Sequence, residues 1–372
     1  MHNLVLMVST CGTSLLTNVV KNAPDNELRL QIIRLANKKK LDEIPEEWRG
    51  KLVEHIQQRR EILLAADLET AKKLSAELNS LISYFAGCIN RPRDEYVLIC
   101  TDTWLGEQAA LILCEWLEAH KLMAQVKRIQ DLQTSELTEF RLAMSDIVKW
   151  CAETLPGYRE SRYHIVFNLT GGFKSIQGFM QTLGMFYADE SIYTFESGNH
   201  LLSLPRLPVC LDVGHTLHKG LQAFRRAWLG LAVTEQNIKD LPETLFLVID
   251  GQAVLSPWGQ LVWEQGRKNI FAEKILEPVS PRLRLGDKFS ETTKGLPSDR
   301  IIQINEKLDD LARFLENDVN PSSLNFKEVR HEKQKIAPST HEAYAWSDCG
   351  AKRLFGHYEN DVFVLDRLGD HL

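Results

Sequence analysis

The chain has 372 residues, 44% of them hydrophobic and 25% charged, with a net charge of −6 at pH 7; that size and balance predict a soluble protein of two or three domains with a sizeable core. The acidic balance excludes a general pull toward nucleic acid, so any such site must be a local patch. No apolar run is long enough to span a bilayer and no export signal opens the chain, while seven scattered cysteines with no CxxC pair point to a reducing cytoplasm without structural zinc.

Four apolar, β-rich runs punctuate the first half: Leu4–Val8, Tyr96–Cys100, Gln125–Ile129 and Tyr163–Phe167. Amphipathic helical patterns lie between them, as at Glu107–Ala119 and Glu136–Thr154, and a further β-like run follows at Ser191–Phe195. Strands alternating with helices predict an α/β fold, an open Rossmann-like parallel sheet covered on both faces. Between the first two strands, Ile56, Leu63, Leu64, Leu68, Leu74, Leu78, Leu81 and Ile82 recur at helical spacing. These are read as inserted helices that serve packing or dimerisation. Leu201–Val209, interrupted by Pro205 and Pro208, suits a domain edge near residue 210.

Residues 211–298 form the next segment. A helix is predicted over Leu217–Leu231, a hairpin at Leu245–Leu255 around Asp250-Gly251, and a second helix over Gln260–Leu276. This is either a winged-helix-like module or a plain connector. The stretch from Pro278 to Pro297 is rich in Pro, Ser, Gly and charge and predicts a linker. From 299 to 372 an amphipathic helix, Ile301–Leu315, precedes strand-like pieces at Asn325–Val329, Glu342–Trp346, Lys352–Gly356 and Val362–Arg367, which predicts a small α+β domain.

The strongest functional signal is Asn168-Leu169-Thr170-Gly171-Gly172-Phe173-Lys174-Ser175, a strand, a glycine turn and a helix start. Such a turn presents free backbone N–H groups and the positive end of a helix dipole. Two glycines allow close approach, and Lys174 adds a mobile cation, so the turn suits an anion, above all a nucleotide. The first strand ends in a second polar turn, Ser9-Thr10-Cys11-Gly12-Thr13-Ser14, with Asn18 a turn later, and another strand ends at Thr101-Asp102-Thr103. The Thr101 turn taken alone reads as a helix cap. Rossmann-like sheets place ligands beyond the carboxyl ends of their strands, so these turns are expected to line one crevice. Neither GxGxxG nor GxxxxGK[ST] occurs, which disfavours ordinary NAD binding and excludes a P-loop NTPase.

On these two turns, the inserted helices and the Leu255-Ser256-Pro257-Trp258-Gly259 segment, the N-terminal two-thirds resembles CRISPR-associated Rossmann-fold (CARF) sensors. The resemblance implies a homodimer that binds a cyclic oligoadenylate across its two-fold axis. Cyclic tetra-adenylate is the first choice, because its symmetry matches a two-fold site. The implied ligand-binding residues are Ser9, Thr10, Cys11, Gly12, Thr13, Asn18, Thr101, Asn168, Thr170, Gly171, Gly172, Phe173 and Lys174. Some sensors of this kind slowly cleave their own activator, and Lys174, Ser9 and Thr10 are the residues placed to stabilise that reaction.

The C-terminal segment is similar to the RelE superfamily of mRNA interferases, which often act in the ribosomal A site. The resemblance rests on the leading helix, the basic stretch from Lys327 to Lys335, and the pattern Lys352-Arg353-Leu354-Phe355-Gly356 through Asp370-His371-Leu372. It implies attack of an RNA 2′-OH on the neighbouring phosphate. Arg353 stabilises the phosphorane, His371 is acid or base, and Lys333 or Lys335 serves proton transfer or electrostatics. Lys327, Arg330 and His331 would grip RNA phosphates, with Tyr344 and His357 in reserve. Glu332 is poorly placed by spacing, and the general base stays unassigned. No metal-spaced cluster occurs and 2′-OH attack needs none. The expectation is a ring-gated, ribosome-dependent ribonuclease with mRNA and the ribosome as partners. The alternatives are a nucleotide-responsive DNA-binding regulator and a nuclease that acts without the ribosome.

Overall fold

The computed structural model describes residues 4–18, 26–133, 136–194, 200–329, 337–348 and 350–370. The chain divides into two compact units, 1–210 and 211–372.

The first unit is built on β1 (Leu4–Thr10), followed by α1 (Ser14–Thr17), α2 (Asn26–Arg34), α3 (Glu46–Leu64), α4 (Leu68–Leu74) and α5 (Ala76–Tyr84). Then come β2 (Glu95–Cys100), α6 (Trp104–Ala119), β3 (Met123–Arg128), α7 (Leu137–Glu160), β4 (Tyr163–Asn168), α8 (Lys174–Tyr187), β5 (Glu190–Thr194) and β6 (Leu201–Pro205). The sheet order is β3-β2-β1-β4-β5-β6. Its first five strands are parallel, and β6 closes the edge antiparallel to β5. Residues alternate between the two faces of a strand. Val5, Met7, Leu98, Cys100 and Val166 therefore join one buried cluster with the inserted helices and α6. Leu6, Val8, Ile165 and Phe167 are equally buried on the alternate positions, and α7 and α8 pack on β4. Strands buried on both sides account for the unbroken apolar runs. The strand order reverses between β1 and β4, the point where doubly wound sheets open a crevice.

In the second unit, α9 (Gly214–Trp228) and α10 (Glu235–Ile238) precede the hairpin of β7 (Phe246–Ile249) and β8 (Gln252–Leu255), then α11 (Pro257–Glu273). Asp250 and Gly251 both have positive φ, 50° and 75°, as a two-residue hairpin turn requires. Ser256 caps α11 by accepting from Gly259 N–H, and Pro257 opens it. Next are β9 (Leu283–Leu285), α12 (Asp287–Thr292), α13 (Ser298–Asn317), β10 (Lys327–Glu328), β11 (His341–Trp346), β12 (Lys352–Glu359) and β13 (Val362–Asp370). These strands form one sheet, β10-β11-β12-β13-β9.

The stretch from 278 to 297 departs from the linker expectation. Leu283–Leu285 pairs in parallel with Phe363–Leu365, and Phe289 of α12 is fully buried. Three residues of edge strand between turn-forming residues carry too little periodicity to be read locally. The helical segment is also not separate from the sheet that follows. Arg225 of α9 forms a buried ion pair with Asp309 of α13, its Nε lying 3.0 Å from Oδ1. Asn305 donates to the carbonyls of Phe271 and Lys274.

Candidate functional site

The turns after β1 and β4 meet at the switch point. A Cβ on Gly12 would lie 3.0 Å from the amide nitrogen of Gly172, and one on Gly172 would lie 3.1 Å from Thr10 Cβ. Gly172 also has φ +90°, which side-chain-bearing residues rarely adopt. Gly12 is thus favoured by the close approach of two backbones, and Gly172 by its positive φ and the Thr10 side chain packed against it. Thr10 Oγ1 donates to Gly171 O at 2.6 Å and ties the turns together.

The structure shows how each polar side chain at the turns is engaged. Ser9, Thr10, Cys11, Thr101 and Asn168 are all buried. Asn168 accepts from Ser80 Oγ and donates to the carbonyl of Glu77. Burial raises the Cys11 thiol well above its ordinary value. Thr101 and Thr103 hydrogen-bond each other, and Thr103 caps α6 by accepting from Gly106 N–H. Asp102 is held by Arg128 and by Asp131 N–H, and these bonds outweigh its burial to hold the carboxyl below its usual value. Thr13 is the N-cap and Asn18 the exposed C-cap of α1.

Glu77 was not singled out by sequence reasoning, yet it joins these parts. Its carboxylate is 2% exposed. It accepts from Gly12 N–H at 2.9 Å, from Ser14 Oγ at 2.9 Å and from Ser75 Oγ at 2.6 Å. A side chain on Gly171 would run into the same carboxylate. The Gly12 amide and the Ser14 hydroxyl of the first turn are therefore satisfied within the protein. A signal existed: Leu74, Glu77, Leu78 and Leu81 share one helical face, so Glu77 is a carboxylate on an apolar stripe. Gln177 was missed as well. Its amide donates to Thr170 O and Gly171 O at 3.3 and 3.1 Å, which binds the turn's carbonyls inward.

The second turn is arranged differently. Thr170 Oγ1 accepts from Thr194 N–H. Phe173 is the N-cap of the 14-residue α8 and no side chain caps that end. Lys174 and Ser175, the first residues of α8, are exposed. An uncapped N-terminus beside an exposed lysine attracts an anion.

In the C-terminal sheet, Arg353 on β12 stands opposite Tyr344 on β11. Its guanidinium carbon lies 3.6 Å from the Tyr344 ring centroid, a stacked cation–π pair. The residue is only 4% exposed, and its Nη1 has no hydrogen-bond partner among the described residues. A buried unsatisfied N–H costs about 1–3 kcal/mol. Arg353 also lines a cavity of about 310 Å³ with Tyr344, Trp346, Ser347 and Ala351. A cavity walled by a guanidinium lying over an aromatic ring is suited to an anionic group with a planar neighbour.

The remaining candidates separate. Lys327 is exposed on β10 and pairs with Glu342 at 3.4 Å. His357 is pinned, with Nδ1 3.0 Å from Asp366 and Nε2 3.2 Å from Glu359, and the Asp366 hydrogen bond above all raises its pKa. It is thereby pinned between two carboxylates in a structural role. Arg330, His331, Lys333, Lys335 and His371 lie outside the described residues.

Residues 72–207 match the model of a family described as CRISPR-associated protein (Cas_APE2256). The matched stretch runs from within α4 through β6 and holds Glu77, Thr101 and the whole Asn168–Lys174 turn. Over that stretch the chain is similar to CRISPR-associated proteins, and the match supports a CRISPR-associated role. Among the described residues, no helix is long and apolar enough to cross a membrane.

Proposed function

We propose that this chain is an ancillary effector of type III CRISPR defence, in which a cyclic oligoadenylate bound to the first unit activates ribosome-dependent mRNA cleavage by the C-terminal sheet. The observation that carries the reading is the Gly171–Lys174 turn. It is a glycine turn at the β1/β4 switch point, it opens a long uncapped helix with an exposed lysine, and it lies within the CRISPR-associated match. In this reading two copies of the chain face a cyclic tetra-adenylate, and each presents one such turn to the ring's phosphates. The Gly12 turn shapes the floor, because Glu77 already takes the Gly12 amide and the Ser14 hydroxyl.

For the nuclease half, support comes from Arg353. The RNA 2′-OH gives up its proton as its oxygen attacks the adjacent phosphorus, charge builds on the non-bridging oxygens, and the P–O5′ bond breaks to leave a 2′,3′-cyclic phosphate and a 5′-oxygen that takes up a proton. Arg353 holds the developing charge with its guanidinium, which lines the cavity, while the Tyr344 ring supports it from beneath. Gating requires the ring to bind the active arrangement more tightly than the inactive one.

The test is cleavage of mRNA on ribosomes by purified protein with cyclic tri-, tetra- or hexa-adenylate. Stimulation by one ring, lost in Arg353→Ala, is the expected result. Absence of stimulation by every ring overturns the gating. Equal cleavage of free RNA overturns the ribosome dependence.

A further inference from the structure

A second cavity, of about 500 Å³, lies beside the one that Arg353 lines, and the two share Tyr344, Trp346 and Ser347. That volume is in the range of small-ligand sites, about 300–1,000 Å³. One wall is α13. The helix turns Ile304, Leu308 and Leu311 into the core. That leaves Gln303, Glu306 and Lys307 along its flank, where they line the cavity with Asp348 from the chain after β11.

The polar groups of this wall are not equally occupied. Lys307 Nζ is held by Asp310 at 3.0 Å, and Asp348 takes Arg300 Nη1 on its two oxygens at 2.8 and 3.0 Å. Gln303 Oε1 accepts from the same Arg300 nitrogen at 2.8 Å. That bond sets the orientation of the amide and leaves Nε2 as the end with donors to give. Glu306 is partly buried, and among the described residues its carboxylate has no hydrogen-bond or ion-pair partner. Gln303 and Glu306 are three positions apart on one helix, so they stand side by side. The cavity thus offers an amide donor next to two carboxylate acceptors, beside the aromatic Tyr344 and Trp346.

Aromatic walls suit a planar ligand. Of the four RNA bases, guanine alone carries two adjacent N–H donors, N1 and the 2-amino group, followed by the O6 acceptor along one edge. Two parallel N–H groups match both oxygens of a carboxylate, as an arginine fork does. Adenine and cytosine present one donor with an acceptor beside it, and uracil one donor between two acceptors, so each brings a lone pair against Glu306. An arginine side chain would satisfy Glu306 but has no acceptor for Gln303. We propose that this cavity binds a guanine base: Glu306 accepts from N1–H and the 2-amino group, and Gln303 Nε2 donates to O6. Binding needs no cleavage, so the site stands whether or not the chain cuts RNA. The base can arrive on a free nucleotide or within RNA, and the shared wall puts the Arg353 cavity next to its sugar and phosphate.

The test is calorimetry of the full chain with the 5′-monophosphates of guanosine, adenosine, cytidine, uridine and inosine. Inosine keeps N1–H and O6 but lacks the 2-amino group. Guanosine monophosphate should bind at least about tenfold more tightly than each of the others, the weight of one hydrogen bond to a charged group. Glu306→Gln should erase the preference over inosine monophosphate, and this loss separates the cavity from any nucleotide bound by the first unit. Gln303→Leu should weaken guanosine and inosine monophosphates alike, because both carry O6. Urea melts of each variant report folding separately. A 2′-O-methyl oligoadenylate, which is not cut, is compared with and without one central guanine. A gain from that guanine beyond the affinity of guanosine monophosphate assigns the base to RNA, and no gain assigns it to a free nucleotide. Equal affinity of the wild type for all five monophosphates overturns the inference, as does an unchanged guanine preference in Glu306→Gln. Tighter binding of arginine amide than of guanosine monophosphate also overturns it, because the cavity then takes a guanidinium.

Discussion

The crevice of the first unit and the Arg353 face of the C-terminal sheet treat polar groups in opposite ways. At the crevice, Glu77 takes the Gly12 amide and two hydroxyls, Asn168 locks to α5, and Gln177 gathers the carbonyls of the glycine turn. At the sheet, Arg353 and Arg367 lie on rings and keep buried donors that have no partner among the described residues. The first arrangement fixes a backbone shape, because each internal bond removes a way for the turns to rearrange. The second fixes charge, and its unmet donors make the ligand-free state less stable than a paired one. A shape site discriminates by fit, whereas a charge site responds to whatever anion reaches it. The second therefore depends more on the control of access.

The largest effect should come from breaking the charge site. Arg353→Ala is expected to lower single-turnover RNA cleavage by about 10²–10³-fold, the usual loss for one transition-state donor. Affinity for the ring, measured by calorimetry, should not change. Arg353→Lys should fail to restore the rate, since a point charge cannot reproduce the planar fork over Tyr344. A cleavage rate within threefold of wild type in Arg353→Ala moves the chemistry elsewhere.

Breaking the shape site should cost stability first. Glu77→Ala leaves the Gly12 amide and the Ser14 and Ser75 hydroxyls without their shared acceptor. The expected loss is about 2–3 kcal/mol for donors stranded in a buried place. It is measured as a lower urea midpoint for the transition of the first unit. Glu77→Gln keeps the volume and one acceptor oxygen and should fall between the two. If Glu77→Ala melts with the wild type, the carboxylate is not what holds the turns.

Much of the first unit was legible because its signals are local. The strand, glycine turn and helix at 163–187 sit within one stretch of chain, and the apolar runs of a doubly covered parallel sheet stand out against the helices. What could not be read depends on pairing over distance. Glu77 reaches Gly12 across 65 positions, and only its place on an apolar stripe hinted at a buried role. The basic stretch after Lys327 drew the eye by composition, whereas Arg353 and Arg367 owe their ring contacts to their registers against Tyr344 and Phe355. A one-residue slip in either pairing would send these side chains to the other face. Leu283–Leu285 was hidden for the same reason, since its partner lies some 80 residues later.

A smaller effect lies at the opposite end of the parallel sheet. His164 at the start of β4 meets Glu190 at the start of β5, Nε2 to Oε1, at 2.8 Å. That bond chiefly raises His164, and it chiefly lowers Glu190, to about 2. The depressed carboxyl contributes stability above its unfolded value that is lost as pH falls toward 2. The raised imidazole contributes below its unfolded value, near 6.5, and that part is lost as pH rises through the raised value. The first unit should thus be most stable between about pH 4.5 and 6.5, by about 1–2 kcal/mol over the flanks. Glu190→Gln should flatten both limbs in urea melts taken across pH. A curve of unchanged shape would show that the pair contributes nothing, and it would leave the crevice at the other end untouched.

The smallest effect sharpens the comparison most. Lys174 sits at the start of α8, exposed, where no side chain caps the helix. If the crevice works by backbone shape, the turn's amides carry most of the binding, and Lys174→Ala should weaken cyclic tetra-adenylate by only about tenfold per site, or about 1.4 kcal/mol. Folding and the cleavage chemistry at a saturating ring concentration should be unchanged. Gly172→Ala is the matched control: it keeps the lysine but forces a side chain toward Thr10 at a backbone angle that only glycine holds easily. It should impair ring binding more than Lys174→Ala does, although no charge is lost. The reverse order, with Lys174→Ala abolishing binding and Gly172→Ala tolerated, would make the crevice a second charge site and erase the distinction between the two regions.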